Sequence, residues 1–195
     1  MNDRLFFGGA ILAYLGLVGI ALAPLADPDR HCTGSISVGE GARDHVVVEG
    51  CDLKRLVAAG GDRVTAGKGE IDAIALRFAE VLFNRDGANS GAHFRLGADL
   101  EQAFGGRRLE ILVRARADGA EDAAIELSYE ADPRNRSDWT KAIVTPEGSD
   151  IRLAVTPPPN PPDVEGVDFL GFRPSLESLG RQIYIERVEF RLAPN

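Results

Sequence analysis

Along most of the chain, apolar and polar residues alternate with a period of two, the pattern of a strand with one buried and one wet face. The clearest run is Leu109 to Ala117, where Leu109, Ile111, Val113 and Ala115 point one way and Glu110, Arg114 and Arg116 the other. Shorter runs lie at Val46-Val47-Val48, at Ile74, Leu76 and Phe78, and at Phe94 and Leu96. Val81 and Phe83 follow with a change of parity at Ala79-Glu80, which predicts a bulge. The second half adds Ile125/Leu127/Tyr129, Ile143-Val144, Ile151/Leu153/Val155, Val167 to Phe172, and a final run from Ile183 to Leu192. Leu53 to Ala59 has the composition of one or two helical turns. Turn residues punctuate the strands at Asp118-Gly119, Asp132-Pro133, Pro146 to Gly148 and Thr156 to Asp163. Short strands so spaced predict a mainly β fold, an antiparallel sandwich over residues 32–195, rather than alternating β and α units.

One segment breaks the alternation. Nineteen consecutive uncharged residues run from Leu5 to Ala23, and at ~1.5 Å per residue a helix of that length crosses most of a ~30 Å hydrocarbon core. A cleaved signal peptide and a retained anchor both begin this way. Ala21-Leu22-Ala23 has the small-x-small form of a cleavage site, but Pro24 follows it, and proline fits the extended substrate site of a protease poorly. Retention is the favoured reading. It divides the chain into a cytoplasmic tail (residues 1–4), a single transmembrane anchor (5–23), a short linker (24–31) and the exported domain (32–195). Arg4 and the free amine at the start set the cytoplasmic end.

The exported side agrees with the cysteine count. Cys32 and Cys51 are the only two, and neither has the spacing of a metal site. In an oxidising compartment they are expected to form one disulfide closing a loop of about 20 residues, a constraint contributing ~3 kcal/mol. Arginine outnumbers lysine 19 to 3, which fits a GC-rich bacterial genome and hence a periplasmic domain at the inner membrane. A net charge of -8 argues against nucleic acid, which needs basic surface to release counterions. It is compatible with neutral sugars, cations or protein partners.

From Phe94 to about residue 192 the order of features resembles the galactose-binding-like jelly roll, the scaffold of many carbohydrate-binding modules. The resemblance rests on Phe94-Arg95-Leu96, then Phe104-Gly105-Gly106-Arg107 leading into a long strand ending Ala115-Arg116-Ala117, then Trp139 ahead of Ile143-Val144. Phe169-Leu170-Gly171-Phe172-Arg173-Pro174 and the closing strand Ile183 to Phe190 complete it. It implies a jelly-roll sandwich and, in members that bind sugar, aromatic rings that stack on the C–H face of a pyranose. Trp139 is the single tryptophan, with Tyr129 and Tyr184 the other large polar aromatics of the domain. Members that hold a structural calcium use an acidic residue near the closing strand. Here Glu186 is followed by Arg187, whose charge opposes a cation, so no metal and no cofactor is expected.

The candidate ligand-binding residues are therefore Trp139 with its neighbours Asn135, Arg136 and Asp138, together with Arg173. Against this stands the reading in which the indole plugs the edge of the sandwich. Asn84 to Gly91 is a dense polar loop, also ordinary turn chemistry. Arg114 and Arg116 share an outward face, where with Arg173 they can meet a carboxylated sugar or phosphate; surface pairing with cross-strand partners such as Glu126 and Glu130 is the plainer expectation. Enzyme signatures are missing: there is no GxSxG, HExxH or P-loop, and three scattered histidines form no visible triad. Two functions stay open, a membrane-anchored non-catalytic domain binding a glycan or similar hydroxylated ligand, and a single-span accessory subunit of a larger membrane-protein complex.

Overall fold

The computed structural model describes residues 32–38, 43–58, 63–66, 73–77, 87–131, 135–159 and 166–193. The expected anchor between Leu5 and Ala23, its flanks, and the strand positions Phe78, Val81 and Phe83 lie outside the described residues. Among the described residues no helix is long and apolar enough to cross a membrane.

Ten strands are described: β1 (His45–Val48), β2 (Arg63–Ala66), β3 (Ile74–Arg77), β4 (Ala92–Arg95), β5 (Leu109–Ala117), β6 (Ala123–Glu130), β7 (Thr140–Val144), β8 (Ser149–Val155), β9 (Phe169–Pro174) and β10 (Gln182–Leu192). A short helix, α1 (Ala98–Phe104), and 3-10 turns at Gly50–Arg55 and Leu176–Ser178 complete the described elements. The fold is mainly β, two antiparallel sheets forming a sandwich. One sheet has the order β2-β3-β10-β5-β8 with β1 also on β10; the other is β4-β9-β6-β7.

β10 pairs along one edge with β5 from Ile183 to Leu192, while its other edge pairs with β3 through Gln182 to Ile185 and with β1 through Val188 to Arg191. The register slips between Ile185 and Arg187, a bulge at Glu186. The extra residue lets Ile183 and Ile185 before it, and Val188 and Phe190 after it, all reach the core despite the change of parity. β5 follows its alternation without interruption: Leu109, Ile111, Val113, Ala115 and Ala117 are buried. They pack in one core with Ile125, Leu127 and Tyr129 of β6, Leu170 and Phe172 of β9, and Phe94 of β4. Phe94 meets Phe172 edge-on with ring centroids 6.0 Å apart.

α1 places Leu100 and Phe104 one turn apart on the buried face, and Phe104 stacks on Phe190 at 5.8 Å. Asp99 and Glu101 in its first turn suit the positive end of the helix dipole. It stops at Gly105 and Gly106, the latter with φ +71°, and the Gly106 N–H bonds the Pro157 carbonyl at 2.8 Å. Cys32 and Cys51 form the expected disulfide, with Cα atoms 5.6 Å apart.

Three expectations are corrected. The turn expected within Leu53 to Ala59 is a 3-10 turn lying earlier, over Gly50–Arg55, and Val57 instead bridges to His93. α1 and β2 were not predicted by the pattern. Glu126 and Glu130 are not partners of Arg114 and Arg116: they stand on β6, in the other sheet. Arg114 lies 3.3 Å from Asp150, and Arg116 lies 2.9 Å from Glu186. Arg173, on β9, is likewise in the other sheet and does not join that arginine pair.

Replacing Phe190 by Ala removes a fully buried ring that β10 and α1 share, and is expected to lower unfolding free energy by about 3–5 kcal/mol. Arg152→Ala, on the wet face of β8, is expected to change it by under ~0.5 kcal/mol. Urea titrations of the two variants followed by circular dichroism check the contrast.

Candidate functional site

The outer face of the four-stranded sheet is set by strand parity. Ile125, Leu127 and Tyr129 of β6 enter the core, so Ala124, Glu126, Ser128 and Glu130 face out; on β9, Leu170 and Phe172 face in while Phe169, Gly171 and Arg173 face out. Trp139 precedes β7 on the polar side and is not part of the core cluster. The indole is half-buried against the outer face rather than inserted between the sheets.

β6 and β9 put Glu126 directly across from Arg173. The Arg173 Nε donates to Glu126 Oε2 at 2.6 Å, and Ser175 Oγ donates to Glu126 Oε1 at 3.3 Å. So held, the guanidinium lies over the Trp139 ring, 4.1 Å from its centroid, a cation–π contact of about 0.5–1 kcal/mol at an exposed site. Two predicted residues 34 positions apart in sequence thus touch. One face of the indole is occupied by arginine.

The rest of this outer face is covered. An ideal Cβ on Gly171 falls 2.1 Å from the Ala88 carbonyl oxygen, so only glycine lets the 87–91 turn lie against β9. The Ala88 N–H donates to Glu130 Oε2 at 2.6 Å and Ser90 N–H to the Gly87 carbonyl at 3.1 Å. The described end of the polar loop is therefore a tight turn. Beside it, His93 and Phe169 meet edge-on at 5.4 Å, and burial holds the His93 imidazole below its ordinary pKa.

Asn135 and Arg136 go elsewhere. The segment is strapped to β6 by a backbone β-bridge between residues 136 and 130, by Tyr129 N–H donating to Ser137 Oγ at 2.9 Å and by Ser128 Oγ donating to the Ser137 carbonyl at 2.9 Å. It forms one wall of a cleft of about 370 Å³, with Val155, Pro157 and Pro158 opposite and Tyr129 lining it as well. The volume lies within the range of small-ligand sites. Asp138 is exposed and does not line this cleft. The five predicted residues therefore divide: Trp139 with Arg173, Asn135 with Arg136, and Asp138 on the strand of chain between them.

Beneath the cleft lies a buried acidic cluster that the pattern did not reveal. The Tyr129 hydroxyl donates to Asp168 Oδ2 in a short hydrogen bond, and the Asp168 N–H donates to Glu101 Oε1 at 3.0 Å. All three residues are 2% exposed, and Asp168 Oδ1 has no hydrogen-bond partner. Burial pushes the Asp168 carboxyl up to about 6, against a smaller opposing effect of the Tyr129 hydroxyl. Burial also raises Glu101, opposed by its bond to the Asp168 N–H and reinforced by the Asp168 charge. Tyr129 itself is raised by burial and then by the neighbouring Asp168 charge.

No family model matches the chain, and no curated protein matches it. Among solved structures, the CBM22-1 xylan-binding domain of Xyn10C from Paenibacillus barcinonensis is similar over 80% of this chain and 99% of its own, at 14% identity and a TM-score of 0.51. The CBM22-1-CBM22-2 tandem domain from the same enzyme is similar over 72% of this chain at 14% identity and a TM-score of 0.48; the match spans 42% of the tandem. The first likeness shows that this chain has a carbohydrate-binding-module-like β-sandwich fold.

A carboxyl whose pKa is higher in the folded than in the unfolded chain binds more protons when folded, so stability falls as pH rises through the folded value. From about pH 4 to pH 8, Asp168 is expected to remove about 3 kcal/mol in this way. Glu189, held below the ordinary carboxylate range chiefly by its hydrogen bond from Arg191, acts with the opposite sign and at lower pH. Melting temperatures from pH 5 to 8 are expected to decline for the native chain and to run nearly flat for Asp168→Asn.

Proposed function

We propose that residues 32–195 are a non-catalytic glycan-binding domain of jelly-roll type, carried into the periplasm and held at a bacterial inner membrane by the apolar run from Leu5 to Ala23. The observation that carries this reading is the cleft. One wall offers the amide of Asn135, the guanidinium of Arg136 and the backbone of a strapped segment; the other offers Val155, Pro157 and Pro158. Sugars present this same division, with hydroxyls around the ring edge and C–H groups on its faces. Trp139, from the same segment, and Arg173 of β9 form a second polar-aromatic surface on the outer sheet face. The similarity of fold to a xylan-binding domain supports a polysaccharide as the ligand class.

Binding follows from shape and hydrogen bonding, without bond cleavage. Asn135 and Arg136 orient hydroxyls, the prolines desolvate a ring face, and the Tyr129 floor stays fixed because its hydroxyl is committed to Asp168.

A second reading, the accessory subunit of a membrane complex, is favoured by one observation. Ile143, Leu176 and Leu179 are 52%, 60% and 42% exposed, and the Lys141–Glu177 ion pair ties β7 to the turn that carries Leu176. Under this reading, purification in mild detergent returns the chain with a stoichiometric membrane partner. A lone monomer in every preparation removes it.

The glycan reading is tested by calorimetric titration of the full-length chain in detergent with xylo-oligosaccharides and a panel of other neutral oligosaccharides. Saturable binding is expected, weakened roughly tenfold or more by Arg136→Ala or Trp139→Ala, the size of effect of a binding hot spot. No binding across the panel, or binding indifferent to both variants, overturns it.

A further inference from the structure

The six-stranded sheet carries seven arginines on its strands. Five have a carboxylate within 4.0 Å: Arg114 with Asp150, Arg116 with Glu186, Arg152 with Glu110, and Arg187 and Arg191 with Glu189. The other two are Arg63 on β2 and Arg77 on β3, which are register partners. Neither makes an ion pair among the described residues. Both face outward, because Val64 packs on the core and Leu76 is buried within it. Like charges directly opposite one another across a strand pair are destabilising. Their juxtaposition is conspicuous in a chain with 30 acidic and 22 basic side chains.

Arg77, with Arg63 beside it on β2, opens onto a polar cleft. Gln182, the register partner of Arg77 on β10, continues the row toward the middle of the sheet, and Arg77, Gln182, Arg181 and Asp118 line a cleft of about 540 Å³. Arg181 is already engaged by Glu121 and by the Asp122 carbonyl. Asp118 lies beyond Gln182, since its N–H bonds the Gln182 carbonyl at 3.0 Å. That puts it two strand spacings, about 10 Å, from Arg77. Gln182 Nε2 donates to the Tyr184 hydroxyl at 2.8 Å, and Arg116 covers the Tyr184 ring at 3.9 Å. The cleft thus has the Arg77 guanidinium toward one end and the Asp118 carboxylate toward the other, with Arg63 next to Arg77 on the neighbouring strand.

We propose that Arg63 and Arg77 form a binding site for an oxyanion borne on a sugar, a uronate carboxylate or a sugar phosphate, with Gln182 and Asp118 meeting neighbouring hydroxyls. Guanidinium groups match both oxyanions through paired, charge-assisted hydrogen bonds, and an anion between the two arginines replaces their repulsion with attraction. The sugar carrier rests on the glycan reading above; the oxyanion recognition does not, and this site is separate from the Asn135–Arg136 cleft.

The test titrates the full-length chain with oligogalacturonate, with glucose 1-phosphate and with a neutral xylo-oligosaccharide. Tighter binding of an acidic ligand than of the neutral one is expected, weakening several-fold between about 50 and 300 mM salt. Arg63→Gln and Arg77→Gln are each expected to weaken it roughly tenfold, without lowering the melting temperature, since each removes one of two like charges. Arg77→Lys is expected to recover only part of the loss, because an ammonium lacks the planar fork. Binding of the phosphate alone, lost in the same variants, supports the site with phosphate as its oxyanion. Equal affinity for acidic and neutral ligands, or acidic binding untouched by Arg63→Gln and Arg77→Gln, overturns it. If the neutral ligand fails to bind while the acidic one binds and responds to the variants, the cleft reading falls and this one stands.

Discussion

The pairing of β10 with three other strands is the constraint on which the sandwich depends. A single eleven-residue strand holds β5 along one edge and both β1 and β3 along the other, so elements from positions 45 to 117 are joined through the last described strand. Such contacts are non-local and their loop-closure entropy must be met before they contribute. The compensation lies in the core face of β10. Ile183, Ile185, Val188 and Phe190 are all fully buried, each contributing about 1.5–3 kcal/mol relative to exposure. The bulge at Glu186 makes this possible, because without the extra residue the second half of the strand would turn its apolar side chains to solvent.

The same bulge organises the polar face. Glu186 stands between Arg114 and Arg116, 3.7 Å and 2.9 Å away, while Glu189 gathers His45, Arg187 and Arg191. The bulge carboxylate is thus flanked by two guanidinium groups, and the carboxylate three residues beyond it by two more and the His45 ring. Most of the sheet's outer face is an internally neutralised mesh, and individual exposed pairs of this kind contribute little, 0–1 kcal/mol each. Its importance is by contrast: neutralisation stops at β2 and β3, where Arg63 and Arg77 face each other. The four-stranded sheet is arranged differently. One part of its outer face lies under the 87–91 turn, which only Gly171 permits, and another carries the Glu126–Arg173–Trp139 stack.

Much of the architecture was legible in the sequence, and the parts that were not share a cause. The alternation from Leu109 to Ala117 coincides with β5 residue for residue, because that strand has one dry face and no bulge. The runs at Ile125, Ile151 and Ile183 likewise coincide with β6, β8 and β10. α1 escaped because it has only seven residues, with Leu100 and Phe104 as its apolar signal, and a pattern so short has no distinctive period. The partners of Arg114 and Arg116 were misjudged because β5 and β6, consecutive in the chain, belong to different sheets; the turn at Asp118-Gly119 crosses the sandwich instead of closing a hairpin. Trp139 and Arg173 were each identified, but their contact depends on the order β9-β6-β7, which no local signal encodes. Asn135 and Arg136 were placed with Trp139 on grounds of proximity in sequence, yet strapping to β6 sends them to the cleft while the indole lies on the sheet. Tyr129 was counted as core, which it is, and period two has no means of showing that its hydroxyl end meets Asp168.

That buried hydroxyl explains why the fold tolerates an acidic cluster at all. A tyrosine used as the floor of a cleft brings an O–H into the interior, and leaving it without an acceptor costs ~1–3 kcal/mol. Asp168 supplies the acceptor, and in turn its own N–H needs one, which Glu101 supplies from α1. The chain of three therefore fixes the cleft floor, the entry to β9 and the orientation of α1 through one set of hydrogen bonds. An apolar replacement of the whole set removes the desolvation cost but also the directionality, since hydrophobic contacts do not specify where a helix of seven residues must sit. The carboxyl of Asp168, raised to about 6, is the expense of that arrangement. It is borne where one set of hydrogen bonds fixes the cleft floor, the entry to β9 and α1 together.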